Sequence, residues 1–414
     1  MKLIKENKRV RFIQKIRAIA VFFADIKLHI YAVLLFVSTF LWMALPYNAG
    51  PDFAMHKWVG AIRMELPGRH KLAKEDIIFI DVSKSRYLLP IDADSTVNEV
   101  ITNRKYLADL FTLLSANYDE VRYVFCDVFF NMPTPDDSLL IQSAAGLKDK
   151  FLSIDADDGN SLNKNLLGVR SATATLNFHR HIFYKIPYFG QYGDTLAPFK
   201  MYSDLEKVQV RKNFLFTWFS DKGISFNNQI IDLQLRSWDF NNEVYDKVGL
   251  GELVSTWQLN PILFDLSLKN RYILIGDFET DIHRTFLTMQ PGTLILFNAY
   301  LHLLHNRQIL PVWYLIILYI FLYWITWLRL GKKSHHLKIT FKIKYFEPFV
   351  FPINIFSISL LLLIFSYVSS LLFNVNISIF HLITIFSCID VVKFVWNKRI
   401  KSKPTDDKTV RLVN

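Results

Sequence analysis

Four long apolar runs divide this chain, and three of them follow one another towards its end. Each has few charges and approaches or exceeds the roughly 18–20 residues that an α-helix needs to cross the hydrocarbon core of a bilayer. The runs therefore predict transmembrane helices at 28–46, 311–328, 348–373 and 377–396. We interpret the first as an uncleaved anchor, because its 27-residue lead is longer than that of a signal peptide.

Basic residues are concentrated beside these runs. The segment 47–310 has 27 Lys and Arg against 31 Asp and Glu, whereas the rest of the chain has 21 against 6. Because cytoplasmic flanks carry the excess of Lys and Arg, 1–27, 329–347 and the tail 397–414 are predicted to be cytoplasmic. Residues 47–310 are then periplasmic or extracellular, as in a multi-pass protein of the bacterial inner membrane. The distribution favours lipid headgroups as partner and argues against nucleic acid.

The segment 47–310 has the pattern of an α/β domain. Short apolar runs alternate with helical periodicity, which is typical of a largely parallel sheet. Strands are predicted at 75–82, 121–130, 151–155, 171–178, 213–219 and 270–277. Helices are predicted at 102–118, 136–147, 224–236 and from 291 to about 306. The predicted fold is thus a mixed, largely parallel α/β extracytoplasmic domain with four transmembrane helices.

Acidic side chains follow the predicted strands. Asp81, Asp127 and Asp277 stand at or near strand ends, and Asp281 and His283 follow in the next loop. Ligands bind beyond the carboxyl ends of strands in open parallel sheets, so these residues are the predicted ligand-binding set. They suit an ammonium-bearing ligand or a metal ion, and the sequence leaves the metal open. The alternative is that the acids hydrogen-bond loop amides and cap helices.

No cofactor is predicted. Gly276 follows a strand, but the other glycines of a dinucleotide-binding loop are missing, so we interpret it as a turn glycine.

Several stretches resemble a known sensory domain. They are ILIGD (273–277), DIHRT (281–285), MQPG (289–292) and NAYL (298–301), with weaker support from 76–83, 103–104 and 126–130. They are similar to the CHASE domain of the second type, a cyclase/histidine-kinase-associated sensory extracellular family. The resemblance implies a sensor domain over about 60–308, with one span before it and three after. Members usually continue into a cytoplasmic output domain, and none follows the last predicted span here.

These features predict a non-enzymatic membrane sensor or signalling component. Its exported domain would bind a signal or envelope partner, and its helices would transmit the change to a separate membrane or cytoplasmic effector. A homo-oligomer is compatible with this function. Two alternatives stay open, which are a structural subunit of an envelope complex and a metal-dependent hydrolase.

Overall fold

A computed structural model describes most of the chain between residues 26 and 388. The described residues are 26–45, 50–65, 72–90, 98–157, 162–163, 165, 167–174, 177–179, 182–190, 193–213, 215–220, 222–241, 244–260, 262, 267–330, 347–373, 375, 377–378 and 381–388. The predicted cytoplasmic segments 1–27, 329–347 and 397–414 lie wholly or largely outside them, as does much of the predicted helix 377–396.

The helices fall into an apolar group and a group that belongs to the α/β domain. In chain order they are α1 (Ile26–Ala44), α2 (Gly50–Glu65), α3 (Arg104–Ala116), α4 (Asp137–Ala145), α5 (Ala197–Glu206), α6 (Trp238–Asn241), α7 (Leu250–Leu259), α8 (Gly292–Leu304), α9 (Val312–Leu330) and α10 (Glu347–Phe373).

The strands form one large sheet and several small ones. They are β1 (Ile77–Asp81), β2 (Arg86–Pro90), β3 (Asn98–Thr102), β4 (Tyr123–Cys126), β5 (Phe151–Asp157), β6 (Leu162–Asn163), β7 (Ser171–Thr173), β8 (Asn177–His179), β9 (Ile182–Pro187), β10 (Val210–Lys212), β11 (Phe216–Phe219), β12 (Gly223–Phe226), β13 (Asn228–Ile230), β14 (Asp246–Gly249), β15 (Tyr272–Gly276), β16 (Ile282–Arg284) and β17 (Met289–Pro291).

The large sheet confirms the predicted mixed α/β class. Its order is β14-β1-β15-β4-β5, with β7 and β6 also paired to β5. All of these pairs are parallel except β5 with β6. The strand β15, late in the chain, lies between β1 and β4. The carboxyl ends that carry Asp81, Asp277 and Asp127 are therefore consecutive neighbours.

Helices cover both faces of this sheet. Alternate strand residues point to opposite faces. Ile78, Ile80 and Ile273 pack against α3, α4 and α7, whereas Phe79 and Leu274 pack against α5 and α8. Burying each such side chain contributes roughly 1.5–3 kcal/mol, so the three-layer arrangement holds the strand ends in place.

The predicted helix at 224–236 is wrong. The first part of this stretch lies in β12 and β13, and residues 231–236 are in neither a helix nor a strand. The strand β12 pairs with β11 in an antiparallel ladder from Phe216↔Phe226 to Phe219↔Gly223. The apolar residues of 224–236 suited either structure, and a strand partner in β11 decided between them. The helix α2 has no counterpart among the sequence predictions.

Among the described residues, two helices, α1 and α9, are long and apolar enough to cross a membrane by length and composition. They pack side by side, with His29 Nδ1 and the Tyr319 hydroxyl 2.8 Å apart. The helix α10 covers the predicted span 348–373, and its Phe365 ring stacks on Phe321 of α9 at 3.8 Å. Of the predicted span 377–396, residues 381–388 are helical in the described part.

Candidate functional site

A cavity of about 320 Å³ opens at the carboxyl ends of the central strands. The hairpin of β2 and β3 supplies one wall, and the segment after β4 supplies another. Its charged lining residues are Arg86, Glu99, Arg104, Asp127, Asp277 and Asp281. Three of the five predicted site residues therefore line one cleft, where the topology of a parallel sheet predicts it.

Asp127 connects this cleft to α8. The backbone N–H of Asp127 continues the ladder by donating to Ile275 O at 2.8 Å. Its Oδ2 accepts a 2.7 Å hydrogen bond from the hydroxyl of Thr293, in the first turn of α8. Burial raises the pKa of Asp127 to about 7, helped by the charge of Asp281 and opposed by the Thr293 bond and His283.

Gly276 allows this contact. A β-carbon at residue 276 would collide with the Thr293 hydroxyl oxygen. The φ angle of Gly276 is not positive, so a left-handed backbone conformation is not what requires a glycine at this position. The glycine is needed because helix and strand approach too closely for a side chain.

Asp281 and His283 form a pair beside the same helix terminus. His283 Nε2 lies 2.7 Å from Asp281 Oδ1, and the Phe183 ring meets the imidazole edge-on at 4.8 Å. The hydrogen bond to Asp281 raises the pKa of His283, against the opposing effect of burial. A β-carbon on Gly292, the first residue of α8, would collide with the Asp281 carboxylate. The start of α8 therefore touches two of the acids that line the cleft, Asp127 and Asp281.

Asp277 is held by its own loop. Its carboxylate accepts hydrogen bonds from the Thr280 amide at 2.7 Å and the Glu279 amide at 3.1 Å, and it also binds the Thr280 hydroxyl and Arg86. Partial burial would raise the pKa of Asp277, but these bonds and the charge of Arg86 outweigh it and lower the pKa. Asp277 orders the cleft wall, as the alternative interpretation of the acids predicts.

Asp81 does not join the cleft lining. Its Oδ2 pairs with Lys247 Nζ on β14 at 3.1 Å, and its Oδ1 accepts from the amides of Ser83 and Phe278 at 3.0 and 3.3 Å. The carboxylate thus ties β1 to its neighbours on both sides. A ligand-binding role for Asp81 has no geometric support.

Three charged cleft residues escaped the sequence prediction, namely Arg86, Glu99 and Arg104. Thr293, which donates a hydrogen bond to Asp127, escaped it as well. Arg104 is 4% exposed, and Nη1 of its guanidinium is bound to Asp137 at the start of α4. Nothing local distinguishes Arg104 from a solvent-facing helix residue. Its burial depends on a partner 33 positions away along the chain.

A larger cavity of about 490 Å³ lies beside the edge strand β14. Asp246 lines it and pairs with Lys74 at 2.9 Å and Arg271 at 3.2 Å. None of the predicted site residues lines it. Within the described residues, no group of three or more His, Cys, Asp or Glu side chains is arranged to hold a metal ion.

Comparison of the chain with family models, with curated proteins and with solved structures gives no match.

Proposed function

We propose that the protein is a membrane sensor with no catalytic activity of its own. In this proposal residues 47–310 form a CHASE-like domain outside the cytoplasm of a bacterium, and four helices cross the inner membrane with both termini inside. The cleft binds a signal, and the helices pass the change to a separate effector. The support comes from the basic flanks, the two long apolar helices and the contact between the cleft and α8.

The hydrogen bond from Thr293 to Asp127 is the observation that carries this proposal. Thr293 lies in the first turn of α8, and α9 begins eight residues after α8 ends. A ligand that binds the carboxylate of Asp127 competes with the hydrogen bond from Thr293. The helix that leads to a membrane-spanning candidate would then respond directly to occupancy of the cleft.

Hydrogen bonds to neighbouring elements hold the connection between α8 and α9 in place. Leu310 and Ile224 exchange backbone hydrogen bonds of 2.6 and 3.0 Å. The Gln308 side chain binds the amide and carbonyl of Ile230 at 2.7 and 2.6 Å, and its backbone N–H donates to Phe373 O of α10 at 2.6 Å. In the proposal, a shift of α8 is passed to α9 and α10 through these bonds.

Cross-linking between α1 and α9 tests the transmission. Cysteines replacing His29 and Tyr319, whose side chains are in contact, would be cross-linked in native membranes of cells that make the full chain. We expect Thr293→Val to change the rate of cross-linking at least about twofold. The matched control is Thr112→Val, which removes a hydroxyl bound to Ala108 O on α3. Equal rates in the parent, Thr293→Val and Thr112→Val would contradict the proposal.

The orientation has a test of its own. In a Cys388→Ser background, Thr256→Cys should react with a membrane-impermeant maleimide in intact spheroplasts. Ser334→Cys, in the basic segment 329–347, should react only after lysis. Cys126 should stay silent in both, because it is fully buried and burial raises the pKa of its thiol. The opposite pattern of labelling would overturn the proposed topology.

A structural subunit is the second candidate, and the β2–β3 hairpin favours it. Tyr87, Leu88 and Val100 are 53%, 59% and 51% exposed, and Leu88 lies directly opposite Val100. Exposed apolar pairs on a projecting hairpin are typical of a surface that another protein covers. A scaffold should copurify with its partner at fixed stoichiometry and lose it in Leu88→Ser, whereas a sensor should keep cleft-dependent cross-linking in that variant.

A further inference from the structure

Arg104 brings a buried positive charge to the wall of the cleft. Its Nη1 binds Asp137, and its guanidinium carbon lies 5.4 Å from the centroid of the Phe130 ring, which restrains the guanidinium group. Within the part of the chain that the structure describes, Nε and Nη2 have no hydrogen-bond partner. Both nitrogens retain some accessible surface, because neither is a fully buried polar atom without a partner, so a ligand in the cleft can reach them. Two free donors on one guanidinium match the two oxygens of a carboxylate.

Hydrogen-bond acceptors line the same cleft. Asp127 uses Oδ2 to accept from Thr293, and its Oδ1 has no hydrogen bond among the described residues. Glu99 on the hairpin is half-buried and has no ion pair within that part of the chain. A protonated amine, with three donors and no acceptor, is the group that complements such oxygens.

The remaining wall is apolar. Val82, Val100, Ile101, Phe129 and Ile154 line the cleft together with the charged residues. An apolar wall with a few converging polar groups is the usual composition of a small-molecule site. The volume of about 320 Å³ is at the lower end of such sites and fits a small ligand.

We propose that the cleft binds a free α-amino acid. Arg104 receives its carboxylate, Asp127 and Glu99 receive its ammonium group, and the apolar wall receives its side chain. This inference rests on the proposed function, since it names the ligand class of the same cleft.

A zwitterion satisfies both sets of groups at once. A simple carboxylic acid would meet Arg104 but leave its own charge facing Asp127 and Glu99. A simple amine would satisfy the acids but leave the free donors of Arg104 without an acceptor. Buried charges are tolerated when they are paired and hydrogen-bonded, so a ligand with both groups is favoured over either alone.

Calorimetry on the full chain in lipid nanodiscs tests the inference. Each of the twenty protein amino acids would be titrated, followed by the methyl ester and the N-acetyl derivative of any that bind. We expect at least one amino acid to bind saturably, and both derivatives to bind at least about tenfold more weakly, because each loses a charge-assisted hydrogen bond. The inference is wrong if none of the twenty binds, or if either derivative binds as tightly as its parent.

Two variants assign the contacts. Arg104→Lys keeps the positive charge near Asp137 but removes the pair of parallel guanidinium donors. It should therefore weaken binding of the amino acid at least about tenfold while affecting binding of its methyl ester little. Asp127→Asn should weaken the amino acid and affect its N-acetyl derivative little. The control is Arg170→Lys, which alters an ion pair with Asp204 outside the cleft and should leave affinity unchanged. Unchanged affinity in both Arg104→Lys and Asp127→Asn would also overturn the inference. Because the derivatives test the ligand side with unaltered protein, loss of folding in a variant does not remove the test.

The two proposals fail separately. An amino acid that binds without changing cross-linking between α1 and α9 would support this inference and contradict the proposed function. Cross-linking that responds to Thr293→Val, together with no binding by any of the twenty amino acids, would support the proposed function and contradict this inference.

Discussion

The hydroxyl oxygen of Thr293 occupies the space that a β-carbon on Gly276 would need. Gly276 ends β15 and Thr293 is the second residue of α8, so this close approach fixes the distance between the central strand and the helix that leads to α9. The same hydroxyl donates to Asp127. One contact therefore joins the sheet, the cleft and the helix.

Gly276→Ala should break this arrangement. The added methyl group forces Thr293 away from Asp127, and overpacking of this kind costs about 1–3 kcal/mol of unfolding free energy. Denaturant unfolding of the full chain in detergent would measure it. The matched control is Gly249→Ala, where the nearest neighbour of a β-carbon lies 3.8 Å away, and its effect should be below about 1 kcal/mol. Similar losses in both variants would contradict the explanation.

Asp127 makes stability depend on pH in a defined direction. Burial raises its pKa from 3.8 to about 7, so the folded state holds the proton more tightly than the unfolded state. The resulting stabilisation is complete below pH 3.8 and is lost as pH rises to about 7. We expect Asp127→Asn to remove this dependence and to exceed the parent in stability by about 1–3 kcal/mol near pH 8. His283 is present in both the parent and Asp127→Asn, so its own titration is shared by the two stability curves. Parallel stability curves from pH 4 to 8 would refute the prediction.

The ion pair between Arg104 and Asp137 should contribute more to the free energy of unfolding than a surface ion pair does. The side chains of Arg104 and Asp137 are 3% and 19% exposed, whereas those of Lys269 and Glu120 are 50% and 39% exposed. Arg104→Met leaves Asp137 without its charge partner and should cost about 3 kcal/mol. Lys269→Met should cost less than about 1 kcal/mol. Thermal unfolding of both variants would show the difference, and equal shifts would count against the burial argument.

Gly223 should be needed for the link between the α/β domain and α9. Its φ is 131°, and a β-carbon there would collide with the carbonyl oxygen of Leu310, the residue before Pro311 and α9. Gly223→Ala should cost about 1–3 kcal/mol and speed proteolysis at the α8–α9 connection. Gly168→Ala, also at positive φ but with open space around it, should cost about 1–2 kcal/mol without that proteolysis. Equal cleavage in the two variants would rule out the specific role.

Predictions from residue patterns succeeded where the pattern within a segment is enough to define its secondary structure. The strand predicted at 75–82 is β1 at Ile77–Asp81, and the helix predicted from 291 to about 306 is α8 at Gly292–Leu304. The prediction at 224–236 failed because its apolar residues suited a helix as well as a strand. Pairing with β11 decided in favour of a strand, and the residues of the segment alone do not specify that pairing.

The candidate site divides in the same way. Asp127, Asp277 and Asp281 line the cleft, because carboxyl ends of parallel strands meet at one edge and this follows from chain pattern alone. The same rule predicted that Asp81 lines the cleft, yet its carboxylate forms an ion pair with Lys247 on β14.

The sequence by itself determined the long apolar helices α1 and α9, the charge asymmetry along the chain and the α/β class, because each depends on residue spacing or local composition. Only the tertiary structure placed β15 between β1 and β4, buried Arg104 against Asp137 and brought Thr293 to Asp127. These contacts join residues far apart along the chain. A residue's own neighbours in sequence carry no information about which distant side chain will cover it.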